Sequence, residues 1–346
     1  MNEFFDHRSD HGGAGLHVWG YEIPVYLFLG GLVAGLMMLG GTRLLLARRT
    51  ARQDLVWTSG PLLGLLLLSL GMLALFLDLG HKVQVWRLYV TFQITSPMSW
   101  GSWILLAVYP ALAAHALLML PGAVPALGAR FPVSVRIRER LLARPRVVAG
   151  IAFANIALGA ALGIYTGLLL GTLGARPLWA SAALGPLFLF SGLSTAAALL
   201  HALQVLSTPR GARPAFTDFL LARLVRGARA EAPDPAAGER LVQADNSFLT
   251  VEVVLLGVFL LGHLTSDAVH REAVGLLLTG PYATVFWVFV VGLGIALPLV
   301  LQHLELLHRI RHTLLPSLLV LQGGLVLRFL FVGAGQASHW SNAALR

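Results

Sequence analysis

Long apolar stretches alternate with short polar connections along this chain, and the alternation sets its architecture. A helix rises about 1.5 Å per residue, so crossing a ~30 Å hydrocarbon layer takes about 20 apolar residues. Eight stretches reach that length, at 22–46, 58–79, 99–120, 147–172, 181–206, 248–265, 281–304 and 314–334. The pattern predicts an all-α integral membrane protein of eight transmembrane helices, a single domain over residues 1–346. One connection is long, 207–247, and its four prolines and six arginines make it too polar for a core. It reads as a cytoplasmic loop, with a short interfacial helix around residues 216–225.

Composition supports lipid as the solvent, since 57% of the 346 residues are hydrophobic and only 12% are charged. The net charge of +9 is carried by Arg in the connections, not on an amphipathic face interleaved with aromatics. It therefore speaks for membrane orientation rather than nucleic acid. Seventeen of the 25 Lys and Arg residues fall in connections on one side and six on the other. The positive-inside rule then puts both termini outside, in the periplasm of a double-membraned bacterium, with the spans in its cytoplasmic membrane. Glu3, Asp6 and Asp10 against Arg8 alone make a poor cleavable signal, so the first helix is expected to direct insertion. With no cysteine, the chain has no thiolate for an iron–sulfur cluster and no attachment for c-type haem.

Glycines recur at four-residue spacing, at Gly159, Gly163, Gly167 and Gly171, at Gly31 with Gly35, and at Gly60 with Gly64. Such ridges let helix backbones approach closely, and they predict a tight bundle rather than a site.

Candidate chemistry gathers at the outer ends of the helices, where His17, Trp19, Tyr21, Glu22, Tyr26, Asp78, His81, Trp100, Trp103, Tyr165, Thr166, Asp267 and Arg328 fall. Trp and Tyr at this depth also serve as an aromatic belt. A quinone headgroup needs donors for two carbonyl oxygens, an apolar slot and a titratable neighbour, and this layer holds every such residue type. Two other readings stay open. His115, His201 and His303 could ligate haem b, making the protein a haem anchor. Glycine-rich helices with Pro24, Pro61, Pro186 and Pro298 also suit a transporter or channel.

Several motifs carry a family resemblance. The stretch Tyr26-Leu-Phe-Leu-Gly-Gly-Leu-Val-Ala-Gly35 resembles the first helix of the NrfD/PsrC family, the membrane subunits of polysulfide reductase and related respiratory complexes. In order follow Asp78-Leu-Gly80, Ser96-Pro-Met-Ser-Trp-Gly-Ser-Trp103, Tyr165-Thr-Gly167 with Pro177-Leu-Trp179, and Gly324-Leu-Val-Leu-Arg328 with Gly335-Gln336. The resemblance covers residues 19–336, although loop 207–247 is longer than the minimal pattern. It implies two four-helix bundles without a resident cofactor, binding menaquinol or ubiquinol near the outer face. It further implies electron exchange with an extracytoplasmic ferredoxin-like iron–sulfur subunit, itself attached to a molybdopterin enzyme.

Three site expectations follow. The quinone pocket should lie at the outer ends of the first, second and fourth helices, with His17 and Tyr165 as carbonyl partners, Asp78 and His81 as a proton relay, and Trp100 and Thr166 in the same layer. Arg328, about 14 residues or ~21 Å from the inner end of its helix, should pair with Asp78 or Asp267 or face a ring of carbonyls. Glu252, about a turn inside the sixth helix, with His201, His303 and Glu305 at similar depth, marks an inner proton route or a set of residues snorkelling to the surface.

Overall fold

The computed structural model describes residues 19–46, 55–79, 82–123, 132–171, 176–207, 235–309 and 313–339. Its helices are α1 Glu22–Leu46, α2 Leu55–Asp78, the single turn α3 Arg87–Val90, α4 Pro97–Ala123, α5 Pro132–Leu142 and α6 Pro145–Gly171. They continue with α7 Leu184–Ser207, α8 Pro235–Leu264, α9 Ala268–Leu278, α10 Val285–Leu306 and α11 Leu315–Ala337. Eight are long and apolar enough to cross a membrane, namely α1, α2, α4, α6, α7, α8, α10 and α11. Each expected span is present.

Proline punctuates the starts. Pro97, Pro132, Pro145 and Pro235 open α4, α5, α6 and α8, and Pro316 stands in the first turn of α11. A residue lacking an N–H costs nothing in a first turn, whose donors have no helical acceptor. The same rule corrects one boundary expected from the sequence. Helix α8 begins at Pro235, so 235–247 is not loop, and residues 208–234, with the expected helix at 216–225, lie outside the described residues. Ala237, Leu241, Val242 and Asp245 are buried on one side of this first segment, which holds it helical despite its polar remainder.

Helix α10 is itself in two parts, a π-helix over Val285–Ala296 and an α-helix over Leu297–Leu306. Gly294 there packs on Gly323 of α11 with no room for a Cβ.

Helices α1 and α7 are the most enclosed, buried over 72% of their most apolar windows against 28–33% for α2, α4, α6, α8 and α10. Helix α1 packs on α2 and α6, with α4 lying against those two, and α7 packs on α8 and α11, with α10 lying against those two. Where α1 meets α7, a Cβ on Gly35 would collide with the carbonyl of Gly192, and one on Gly192 with that of Gly31. Gly159 sits against the carbonyl of Ala34, and Gly167 against that of Leu184, so the α6 glycine ridge bears on α1 at one end and on α7 at the other.

The eight spans among the described residues return the chain to its starting face, and side chains tie the two ends there. Gln336 accepts from Trp19 N–H at 2.9 Å and donates to the Trp19 carbonyl at 3.1 Å. Trp19 also stacks on Trp179, whose indole N–H donates to the Phe331 carbonyl. This is called the terminal face below, and the opposite one the arginine-rich face.

Candidate functional site

At the terminal face, a cavity of about 420 Å³ opens between α1, α2, α4 and α6. Its walls are apolar, from Met72, Leu73, Phe76 and Leu105 among others, with three tyrosines set into them: Tyr26 from α1, Tyr89 from α3 and Tyr165 from α6. Tyr26 is 2% exposed and Tyr165 8%. Neither hydroxyl has a hydrogen-bond partner among the described residues. A buried phenol normally finds one, so two hydroxyls left open on a cavity wall are donors awaiting an acceptor. Tyr89 lies outside the spans, and burial, with Tyr109 nearby, pushes its hydroxyl above the usual phenol range. It stays a neutral donor.

The geometry depends on the start of α4. A Cβ on Gly101 would collide with the Tyr165 hydroxyl, so glycine is what lets that ring lie across α4. The preceding connection is pinned to the helix by Ser99, whose hydroxyl accepts from Gln93 N–H at 2.9 Å and donates to the Thr91 carbonyl at 3.3 Å. Trp100 donates its indole N–H to the Ile94 carbonyl at 2.8 Å. Phe92 sits edge-on to both Trp100 and Trp103.

Of the residues expected at this site, Tyr165 lines the cavity and Trp100 lines its neighbour, a second space of about 420 Å³ that shares Tyr165 and Leu169 with the first. Thr166 is a correction. It is fully buried, donates to the Gly163 carbonyl at 2.7 Å and sets its methyl on Gly30 of α1, because one residue along a helix turns the side chain about 100° from Tyr165. Asp78 ends α2 half-buried, one residue before the cavity-lining Leu79. His17 and His81 lie outside the described residues.

A second constellation fills the middle of the other half. Arg328, 1% exposed, donates to Ser191 Oγ, to the Phe188 carbonyl at 2.9 Å and to the Gly324 carbonyl at 3.2 Å, and its guanidinium lies 4.6 Å from the Phe188 ring centre. Glu252 of α8 faces it, sharing Ser191 as a partner. The expected pairing with Asp78 or Asp267 is thus overturned. Arg328 lies 9 residues, ~14 Å, from the end of α11, deeper than the helix ends, and Asp267 caps α9 at the surface. Hydrogen bonds from the His270 backbone N–H and ring hold the exposed Asp267 carboxyl below its ordinary range.

The extended α8 also moves Glu252. It stands 12 residues, ~18 Å, from the terminal-face end of the helix, near the middle of a ~30 Å layer, and is 4% exposed. Snorkelling to the surface is excluded for it. Seven residues earlier, Asp245 is 1% exposed and accepts from Ser194 Oγ at 2.7 Å and Gln302 Nε2 at 2.6 Å. Sequence reasoning missed Asp245 by placing it in a loop. Toward the arginine-rich face follow His201, bonded through Nδ1 to Ser317 Oγ at 3.0 Å, and Glu305, which accepts from Thr313 N–H at 2.9 Å. His303 departs from the expected route, being exposed on the outside of α10, where it lines a groove of about 530 Å³ with Asn246 and Thr250. Its neighbour Gln302 takes the inward position.

Comparison with known proteins decides the family. A sequence model described as "Polysulphide reductase, NrfD" matches residues 11–338. The protein belongs to the NrfD family. Among its relatives are the C subunit of polysulfide reductase from Wolinella succinogenes, 28% identical over 92% of this sequence and 94% of the relative, and protein NrfD of Escherichia coli, 29% identical over 92% and 95%. A protein NrfD homolog of Haemophilus influenzae is 26% identical over 92% and 94%. Similarity over nearly the whole of both sequences extends the family assignment to all eight spans. Like other NrfD proteins, this one is a multi-pass membrane protein.

Proposed function

We propose that this protein is the quinone-reactive membrane subunit of a respiratory oxidoreductase, binding menaquinone or ubiquinone in the tyrosine-lined cavity. The observation that carries the reading is the pair of buried tyrosines, Tyr26 and Tyr165, whose hydroxyls have no partner among the described residues, on the wall of an apolar cavity. A quinone supplies the missing chemistry, since its carbonyl oxygens accept hydrogen bonds and its ring fills an apolar slot. The cavity volume falls in the range of about 300–1,000 Å³ usual for small-ligand sites. Tyr165 would hold one carbonyl. Among the described residues Tyr26 is best placed to join it, and the other expected partner, His17, lies outside them.

The excess of Arg on one face argues that the terminal face is periplasmic. A site at that face shortens the path to a ferredoxin-like iron–sulfur subunit docked outside, and through it to a molybdopterin subunit. The Wolinella relative is by name one subunit of a polysulfide reductase, and a similar assembly is proposed here. Oxidation of a quinol then sends two electrons to that partner and two protons toward the periplasm, with Asp78 and His81 as relay. The packing of α1, α2, α4 and α6, and of α7, α8, α10 and α11, suits two four-helix bundles. In the second, Asp245 and Glu252 with Ser194, Gln302, His201 and Glu305 form an inner proton route that ends against Arg328.

The test is Tyr165→Phe in the assembled complex. Quinone turnover should fall at least tenfold while the subunits still co-purify, and an unaltered quinone response would refute the pocket.

A further inference from the structure

Three ionisable residues of α8 lie on one stripe. Asp245 and Glu252 are 7 residues apart, about 20° short of two turns, and Glu252 and His263 are 11 apart, about 20° past three. All three are buried, at 1%, 4% and 2% exposed. A helix that buries these groups along one line is not arranged for solubility. The first two belong to the inner route, whereas His263, near the terminal face, has no part in what precedes.

His263 Nδ1 lies 2.9 Å from the Phe259 carbonyl, an acceptor only, so Nδ1 carries the proton and Nε2 is left with its lone pair. That Nε2 is buried and has no partner among the described residues. The ring of His270, from α9, lies 5.7 Å from the His263 ring. His270 Nδ1 is 2.6 Å from Asp267 Oδ1, and the side chains step outward, His270 at 15% and Asp267 at 60% exposed. Helix α9 starts at Asp267 because its carboxylate caps the His270 N–H, which also fixes this order.

We propose that Asp267, His270 and His263 form the terminal-face proton port of the second half, through which the buried stripe exchanges protons with solvent. His263 takes up and gives up a proton at Nε2 while Nδ1 stays bonded to the Phe259 carbonyl. No other covalent bond is made or broken, and charge balance is kept by the proton that leaves through His270 and Asp267. Leu256 and Phe259 fill the interval of ~16 Å between Glu252 and His263, with the Phe259 ring tilted against the imidazole at 4.3 Å between ring centres. The inner route and the port are therefore not in standing contact, as a device that moves protons without leaking them requires. The port rests on the reading that Glu252 carries protons, but it is separate from the quinone cavity, which is walled by other helices.

The experiment uses the complete complex in proteoliposomes and measures protons released per electron during quinone turnover. Wild type should release more than the quinol itself supplies, and Glu252→Gln should lose the excess. His263→Ala should lose it too, with turnover under uncoupled conditions unchanged, and added imidazole should restore it. His270→Ala, which leaves the buried position untouched, should cut the excess severalfold. Full excess in both histidine variants with loss in Glu252→Gln overturns the port alone. Excess retained in Glu252→Gln, or absent from wild type, overturns the inner route as well.

Discussion

Arg328→Met removes the guanidinium at the centre of the second constellation, and the cost follows from what it leaves behind. The Phe188 and Gly324 carbonyls and the Ser191 hydroxyl lose a charged donor, and hydrogen bonds to charged groups contribute ~1.5–3 kcal/mol each. Glu252, 4% exposed in the membrane interior, loses the cation that faces it. Breaking a buried pair by removing one partner typically destabilises by ~3–5 kcal/mol, mostly through the uncompensated charge left in place. The single variant is therefore expected to unfold earlier by about that amount in a denaturant titration of the purified protein in mixed micelles. Glu252→Gln removes the orphaned charge, so Arg328→Met/Glu252→Gln should be more stable than the sum of the two single changes by at least ~1 kcal/mol. Strict additivity would mean that α8 and α11 are not coupled through this pair, and the reading of the constellation as one electrostatic unit would fail.

Other expectations concern packing, the pocket and a surface cap. Gly35→Val should prevent stable assembly, seen as loss of the monodisperse peak in size-exclusion chromatography, because its side chain would enter the Gly192 backbone of α7. Gly101→Ala displaces the Tyr165 hydroxyl without altering any polar group, and should raise the quinone KM roughly tenfold, about 1.4 kcal/mol, with intact assembly. Asp267 has its carboxyl held below the ordinary range, so its cap on α9 is fully present above the ordinary Asp pKa and is lost as pH falls through the lower folded value. Amide exchange at the start of α9 should accelerate only under such acid conditions, and Asp267→Ala should remove that pH dependence.

The eight spans were legible in the sequence because a membrane crossing demands apolar length, a property that needs no knowledge of neighbours. The start of α8 was not, since residues 236–246 mix Glu239, Arg240 and Gln243 with residues whose burial depends on packing against α7. That error hid Asp245 and placed Glu252 near a surface instead of in the middle of the layer. Tyr165 was readable as a buried phenol in need of a partner. Tyr26 looked like belt aromatics, because only the structure shows α1 enclosed by its neighbours. Thr166 and His303 were misdirected for a common reason: they stand one residue from Tyr165 and Gln302, and a helix turns neighbours to different faces. Arg328 was rightly expected to meet carbonyls if not a carboxylate, but its facing acid, Glu252, lies in a helix whose register could not be set from composition.

A structure of the protein with a short-tailed menaquinone analogue bound tests the central claim most directly. The headgroup should lie between α1, α2, α4 and α6, with a carbonyl oxygen within about 2.5–3.0 Å of the Tyr165 hydroxyl. A ring bound elsewhere, such as the groove beside His303 on α10, with the tyrosine cavity left to water or lipid, would contradict it.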